Sequence, residues 1–212
     1  IAGLSPTRIY YAGQSFGGIY GTILLGVEPA IRAGVPNVPG GPIIEIARLS
    51  PAFRGLVGFS LAPRTPSLLN TGPLAPPTWG FNENIPLRDE AVRIDTVVGA
   101  NLIQKVIDDT EWVSQSGNPV AYAPHIRKSP LTGDGTPVIF QFAKGDRTVP
   151  NPTTTAILRA GDLADRTSHF RTDLFLPPGT PPPGPNPHTY LTFSLGVIPA
   201  IQAQTQMAIF FT

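Results

Sequence analysis

"IYYAGQSFGGIYG" (residues 9–21) is the stretch on which the reading of this chain turns. Ile9, Tyr10, Tyr11 and Ala12 form a short run of mostly β-favouring apolar residues, which predicts a buried strand over 7–14. From Phe16 the spacing becomes helical, with Ile19, Ile23 and Leu24 near one face and Pro29 closing the run. Where strand gives way to helix stands Gly13-Gln14-Ser15-Phe16-Gly17, a serine enclosed by glycines. Each glycine weakens a regular element, so the cluster needs a reason, and crowding supplies one. A serine on a sharp strand-to-helix turn projects its hydroxyl above the sheet only if its neighbours lack side chains. On this reading Gly13 and Gly17 make room for the turn and Gly18 relieves packing of the helix on the sheet. The turn also aims the Phe16 backbone N–H at the place where a carbonyl oxygen would become negative. A glycine-rich turn with an incidental serine is the bland alternative, but it requires neither the strand before nor the helix after.

A serine hydroxyl is a poor nucleophile until a base removes its proton, and the base needs a carboxylate to hold its tautomer. The chain has three histidines. His169 opens a predicted strand (169–178), where Phe170 points to packing. His125 lies beside Arg127 and Lys128, far from any predicted strand end. His188 sits in the loop "GTPPPGPNPHTY" (179–190) between the last strand and a final helix (about 191–210), where a base can reach over the sheet. For the acid, Asp146 ends the predicted strand "TPVIFQFAKGD" (136–146); its bland reading is a turn aspartate paired with Arg147. Asp173 is the reserve, Asp134 precedes its strand, and Asp162 and Asp165 end a helix. Ser15, Asp146 and His188 follow the chain order of a hydrolase triad.

A second strand, "RAGVPNVPGG" (32–41), and a helix, "NPTTTAILRAGDLA" (151–164) with Asn151 as its cap, complete an alternation of strands and helices. The fold class expected is α/β, a mainly parallel sheet flanked by helices, with reactive groups at the carboxyl ends of the strands. Between 42 and 135 the alternation stops. Helical segments ("IIEIARL", "DEAVRIDTVVGANLIQKVIDD") mix with proline-broken loops ("RTPSLLNTGPLAPPTWG"), which reads as an insertion.

The 26 prolines and 22 glycines among 212 residues are about twice the usual share, which predicts many turns and long loops. With 15 Lys and Arg against 14 Asp and Glu, the net charge is +1 and only 14% of residues are charged. That balance gives no electrostatic footprint for nucleic acid or an anionic surface. Cysteine is absent, which removes disulfides and thiol nucleophiles together. The closing "YLTFSLGVIPAIQAQTQMAIFFT" is apolar, but Pro199 and Gln202, Gln204, Thr205 and Gln206 interrupt it, so it reads as a packed helix and not as a stable membrane span.

In "YYAGQSFGGIYGTILL", "GDRTVPNPTT" and "NPHTYL" the sequence resembles the α/β-hydrolase superfamily, large bacterial esterases and lipases in particular, over about 1–41 and 136–212. The resemblance implies Ser15 as nucleophile, Asp146 as acid, His188 as base and the Phe16 N–H as one oxyanion donor. It makes 42–135 a helical and loop-rich cap on a core of 1–41 and 136–212. Phe53, Phe59, Trp79, Phe81 and Trp112 would line an acyl pocket or form the cap's own core; Gln14, Trp79 and Trp112 are the substrate contacts expected. The activity implied is hydrolysis of a small apolar carboxylic ester through an acyl-serine, without metal or organic cofactor. Peptidase or thioesterase chemistry on the same triad, or a binding module that keeps only the fold, are the alternatives. Such hydrolases carry strands before the nucleophile strand, whereas eight residues precede Ile9 here. An upstream segment or a second chain is therefore expected to complete the sheet, since an open apolar edge templates aggregation. The likeness and the start at Ile1 point to an extracytoplasmic or secreted protein.

Overall fold

In the computed structural model, residues 5, 7–72, 79–85, 97–192 and 196–212 are described. Four strands form one parallel sheet in the order β1 (Ile9–Gln14), β2 (Ile31–Asn37), β3 (Phe140–Ala143), β4 (Thr167–Phe170). Helices α1 (Phe16–Val27), α5 (Pro119–Ile126), α6 (Asn151–Gly161) and α7 (Val197–Phe210) flank it, so the fold is the parallel α/β arrangement expected. The two central strands, β2 and β3, are buried almost throughout, as a parallel sheet covered on both faces requires. Phe140 and Phe142 enter a core with Leu25 of α1, Ala123 and Ile126 of α5, and Ile157 and Leu158 of α6. Between them Gln141 projects the other way, by the alternation of a strand, and donates to the Ala203 carbonyl of α7 at 3.0 Å.

Within 42–135, three helices share a separate cluster of Val57, Leu61, Phe81, Ile103 and Ile107: α2 (Ile43–Leu49), α3 (Arg54–Leu61) and α4 (Ala100–Val113). Arg54 ties this unit together. Its guanidinium donates to both oxygens of the buried Glu83 at 3.0 and 2.6 Å and lies 3.9 Å over the Phe81 ring. Helix α5 behaves differently. Although its sequence falls before 135, it packs against α1 and α6, and its apolar face belongs to the core of the sheet.

Several boundaries differ from those expected. The strand predicted over 169–178 is four residues long and gives way to a 3-10 turn at Thr172–Phe175. There Arg171 pairs with both oxygens of Asp173 at 2.8 Å. The helix expected over 89–109 starts among the described residues at Ala100, after Gly99 at φ 82°; residues 86–96 lie outside them. The final helix starts at Val197 rather than near 191, and residues 187–192 form a 3-10 segment. Among the described residues, β1 pairs only with β2, and Tyr10 on it stacks on Phe211 with 5.1 Å between centroids. No helix among them is long and apolar enough to cross a membrane.

Candidate active site

Ser15 joins β1 to α1 with φ 58° and ψ −118°, a conformation in the region that side-chain-bearing residues avoid. Two backbone bonds hold it there: Ser15 N–H donates to the Asn37 carbonyl at the end of β2, and the Ser15 carbonyl accepts from Ile19 in α1, both at 2.9 Å. The crowding expected around the serine is real at two of the three glycines. A Cβ on Gly13 would stand 2.5 Å from the Gly17 carbonyl oxygen, and one on Gly18 2.5 Å from that of Asn37. At Gly17 the Cβ would meet only the Tyr11 hydroxyl at 3.8 Å, an ordinary contact, because it is the backbone of Gly17 and not its Cα hydrogen that faces Gly13. Phe16 opens α1, whose first N–H groups have no acceptor within the helix. Its ring is 72% exposed and stacks on Tyr20.

Asp146 follows the end of β3 in a turn that Gly145 enters at φ 82°. The residue is 5% exposed and its carboxylate is fully engaged. Oδ1 accepts from the Thr148 and Val149 N–H groups at 2.8 and 2.9 Å, and Oδ2 accepts from His188 Nδ1 at 2.8 Å. Asn151 ties the turn to α6, but not as the helix cap expected. Pro150 occupies that position, while the Asn151 side chain accepts from Gly145 N–H and donates to the Ala143 carbonyl, both at 2.8 Å. Nor does Arg147 pair with Asp146: its guanidinium donates to the carbonyls of Pro183 and Gly184 at 3.3 and 2.9 Å.

His188 is 8% exposed, and its Nε2 lies 2.7 Å from Ser15 Oγ. Because an ionised carboxylate only accepts, its bond fixes the imidazole proton on Nδ1 and leaves Nε2 as acceptor for the serine hydroxyl. Residues 146 and 188, apart in sequence, and Ser15 thus form one hydrogen-bonded chain at the carboxyl ends of β1 and β3. Gln14, the substrate contact expected, donates from Nε2 to the His188 carbonyl at 3.0 Å, bracing the histidine from the nucleophile's side. Below it, Tyr190 is fully buried and accepts from Asn37 Nδ2 at 2.8 Å, and Asn37 also donates to Gln141 at 3.0 Å. Burial first, and then the Asp146 charge, push the Tyr190 phenol well above its ordinary range, against the opposing Asn37 bond.

The remaining candidates go elsewhere. Trp79 is half-buried, packs edge-on against Phe59 and lies against Gly58 in α3, whereas Trp112 is 77% exposed near the end of α4. His125 bonds through Nδ1 to the Ser129 carbonyl, and His169 stacks on Phe142 at 4.6 Å between centroids. Asp173, the reserve acid, is held by Arg171 and Lys144, and the Arg171 bond above all keeps its carboxyl well below the ordinary range. No group of metal-ligating side chains converges among the described residues. Asn37 and Tyr190 went unnoticed in the sequence, where the only signal was that each lies in a predicted strand or in the histidine loop, and Asn151 reads there only as a cap.

What the fold and the site define together is a parallel α/β protein whose serine, histidine and aspartate form a hydrogen-bonded triad, consistent with part of an α/β-hydrolase fold. No protein-family model matches the sequence, and no curated protein does. Solved structures similar to the chain include the Pyrococcus horikoshii acylaminoacyl peptidase, uncomplexed and in an orthorhombic crystal form. Each gives a TM-score of 0.43 at 12% identity over 79% of this chain and 20% of the other. An acylaminoacyl peptidase in complex with Z-Gly-Gly-Phe-chloromethyl ketone gives 0.40 at 13% identity over 90% of this chain and 23% of the other. The chain thus spans about a fifth of the length of these proteins.

Proposed function

We propose that this chain carries the catalytic centre of a serine hydrolase acting on carboxylic esters. The observation that carries the proposal is the continuous chain from Ser15 Oγ through His188 to Asp146, with both bonds within 2.8 Å. In the reaction, His188 Nε2 takes the Ser15 proton as Oγ attacks the ester carbonyl, Asp146 stabilises the resulting imidazolium, and the Phe16 N–H donates to the oxyanion. The imidazolium then protonates the leaving alcohol. Water, activated by the same nitrogen, hydrolyses the acyl-serine and regenerates the hydroxyl.

The cluster of α2, α3 and α4 is assigned as the cap, and the low charge of the chain favours an uncharged, apolar acyl group. Peptide or thioester cleavage would use the same groups, and the choice among leaving atoms is made by substrate. A scaffold that had lost its chemistry would have no reason to keep a buried aspartate and histidine in hydrogen-bond line with a half-buried serine. The test is labelling by a fluorophosphonate followed by intact mass, which adds one phosphonyl group to the parent and none to Ser15→Ala. Turnover of p-nitrophenyl esters, with acyl-peptide substrates as the comparison, then separates esterase from peptidase. An unlabelled parent protein with its fold intact refutes the proposal.

A further inference from the structure

Asp146 stands in a turn and His188 in a short, kinked 3-10 segment, so something must keep the two in register if a 2.8 Å bond between them is to persist. We propose that Asn186 is the positioning residue that does this, an inference that rests on the catalytic reading above. Its single carboxamide bonds to both loops. Oδ1 accepts from Arg147 N–H at 3.0 Å and from His188 N–H at 3.4 Å, while Nδ2 donates to Thr148 Oγ1 at 2.8 Å. Residues 147 and 148 directly follow the acid, and Thr148 N–H is one of the two donors to its Oδ1. Asn186 therefore touches the two residues that shape the Asp146 turn and the backbone of the base itself.

The neighbouring bonds show why this bridge has leverage. Arg147 is held on both sides of its peptide unit, its N–H by Asn186 and its carbonyl by Ser50 Oγ at 2.8 Å. Its guanidinium adds the two bonds to Pro183 and Gly184 in the histidine loop. On the far side Gln14 holds the His188 carbonyl, so the base is fixed at its N–H by Asn186 and at its carbonyl by the residue next to the nucleophile. Without the carboxamide, the register of the two segments rests on the Arg147 guanidinium and the Gln14 brace, while the backbone N–H groups of Arg147 and His188 lose their shared acceptor. A misplacement of about 1 Å at such a site lowers a rate by about a hundredfold.

The experiment compares the parent with Asn186→Ala and Asn186→Asp by two readouts: the downfield proton NMR signal of His188 Nδ1–H, and the fluorophosphonate labelling rate. Asn186→Ala is expected to stay folded by circular dichroism, to lose the downfield signal through broadening, and to label about 10- to 100-fold more slowly. Asn186→Asp keeps oxygens that accept from Arg147 and His188 N–H and from the Thr148 hydroxyl, and is expected to restore the signal and most of the rate. If Asn186→Ala retains the signal and labels within twofold of the parent, the inference is overturned. It is equally overturned if the aspartate variant is as impaired as the alanine one. Should Asn186→Ala fail to fold, Thr148→Val removes one arm of the bridge while keeping the Thr148 N–H bond. It is then expected to weaken the signal and slow labelling about threefold or more, and parent-like behaviour overturns the inference. A parent that shows the downfield signal but no labelling refutes the hydrolase reading alone, since the clamp is still judged by the signal.

Discussion

Replacement of Asp146 by asparagine isolates what the carboxylate does, because the change is almost isosteric and the surroundings discriminate sharply between its two atoms. Oδ1 takes two backbone N–H groups, from Thr148 and Val149, and Oδ2 takes one ring N–H, from His188. An asparagine can present its oxygen to only one side. Facing the amide oxygen to His188 would turn an NH₂ toward two buried N–H donors and leave both without an acceptor, at about 1–3 kcal/mol each. The favoured orientation therefore keeps the oxygen on the backbone and points the NH₂ at His188 Nδ1. That forces the imidazole proton onto Nε2, which then faces Ser15 Oγ as a donor and cannot accept. The loss expected is about 10⁴ in rate, or about 5.4 kcal/mol of barrier at 1.36 kcal/mol per tenfold. Because the two backbone bonds survive, urea midpoints should move little. The assay is the second-order rate constant of fluorophosphonate labelling, with parent and variant at matched folded fraction. Labelling within tenfold of the parent would refute the reasoning, since the carboxylate would then not be setting the tautomer.

Other outcomes follow from single contacts. Gly13→Ala should cost about 1–3 kcal/mol or more, because its Cβ would stand 2.5 Å from a backbone oxygen, whereas Gly17→Ala, with 3.8 Å of room, should be neutral or stabilising; urea denaturation checks both. Tyr190 has a folded pKa raised above the unfolded value near 10, so its contribution to stability is fully present below pH 10 and is lost as pH rises beyond it. Denaturant midpoints between pH 9 and 11.5 should accordingly fall more steeply for the parent than for Tyr190→Phe, and parallel slopes would contradict the assignment. Arg54→Met strands the buried Glu83 carboxylate and should destabilise the α2–α4 unit by about 3 kcal/mol, read as earlier proteolysis within 42–113. Trp112→Ala, at a site open to solvent, should leave ester turnover within twofold, and a larger fall would restore it as a substrate contact.

Local patterns made much of this protein legible in its sequence. The switch from a β-favouring run to helical spacing at Ser15, the strand ending at Asp146 and the histidine stranded between two elements are properties of neighbouring residues. Covalent geometry and side-chain periodicity suffice to read them. They yield the α/β alternation and the three polar groups of the site, because a strand's carboxyl end is defined by the strand itself. The tertiary structure decided everything that depends on which residues meet across the sequence. Gly17 looks like Gly13 in the pentapeptide, yet only Gly13 faces a carbonyl oxygen once α1 folds back on β1. Nothing next to Gln14 in the sequence announces that the loop 174 residues later lays the His188 carbonyl against it. Asn151 reads as a helix cap until the acid turn claims its side chain, and α5 reads as part of the insertion until its apolar face finds α1 and α6. A polar side chain satisfies its hydrogen bonds with whatever the fold brings within 3 Å, and the linear order of residues does not record that distance.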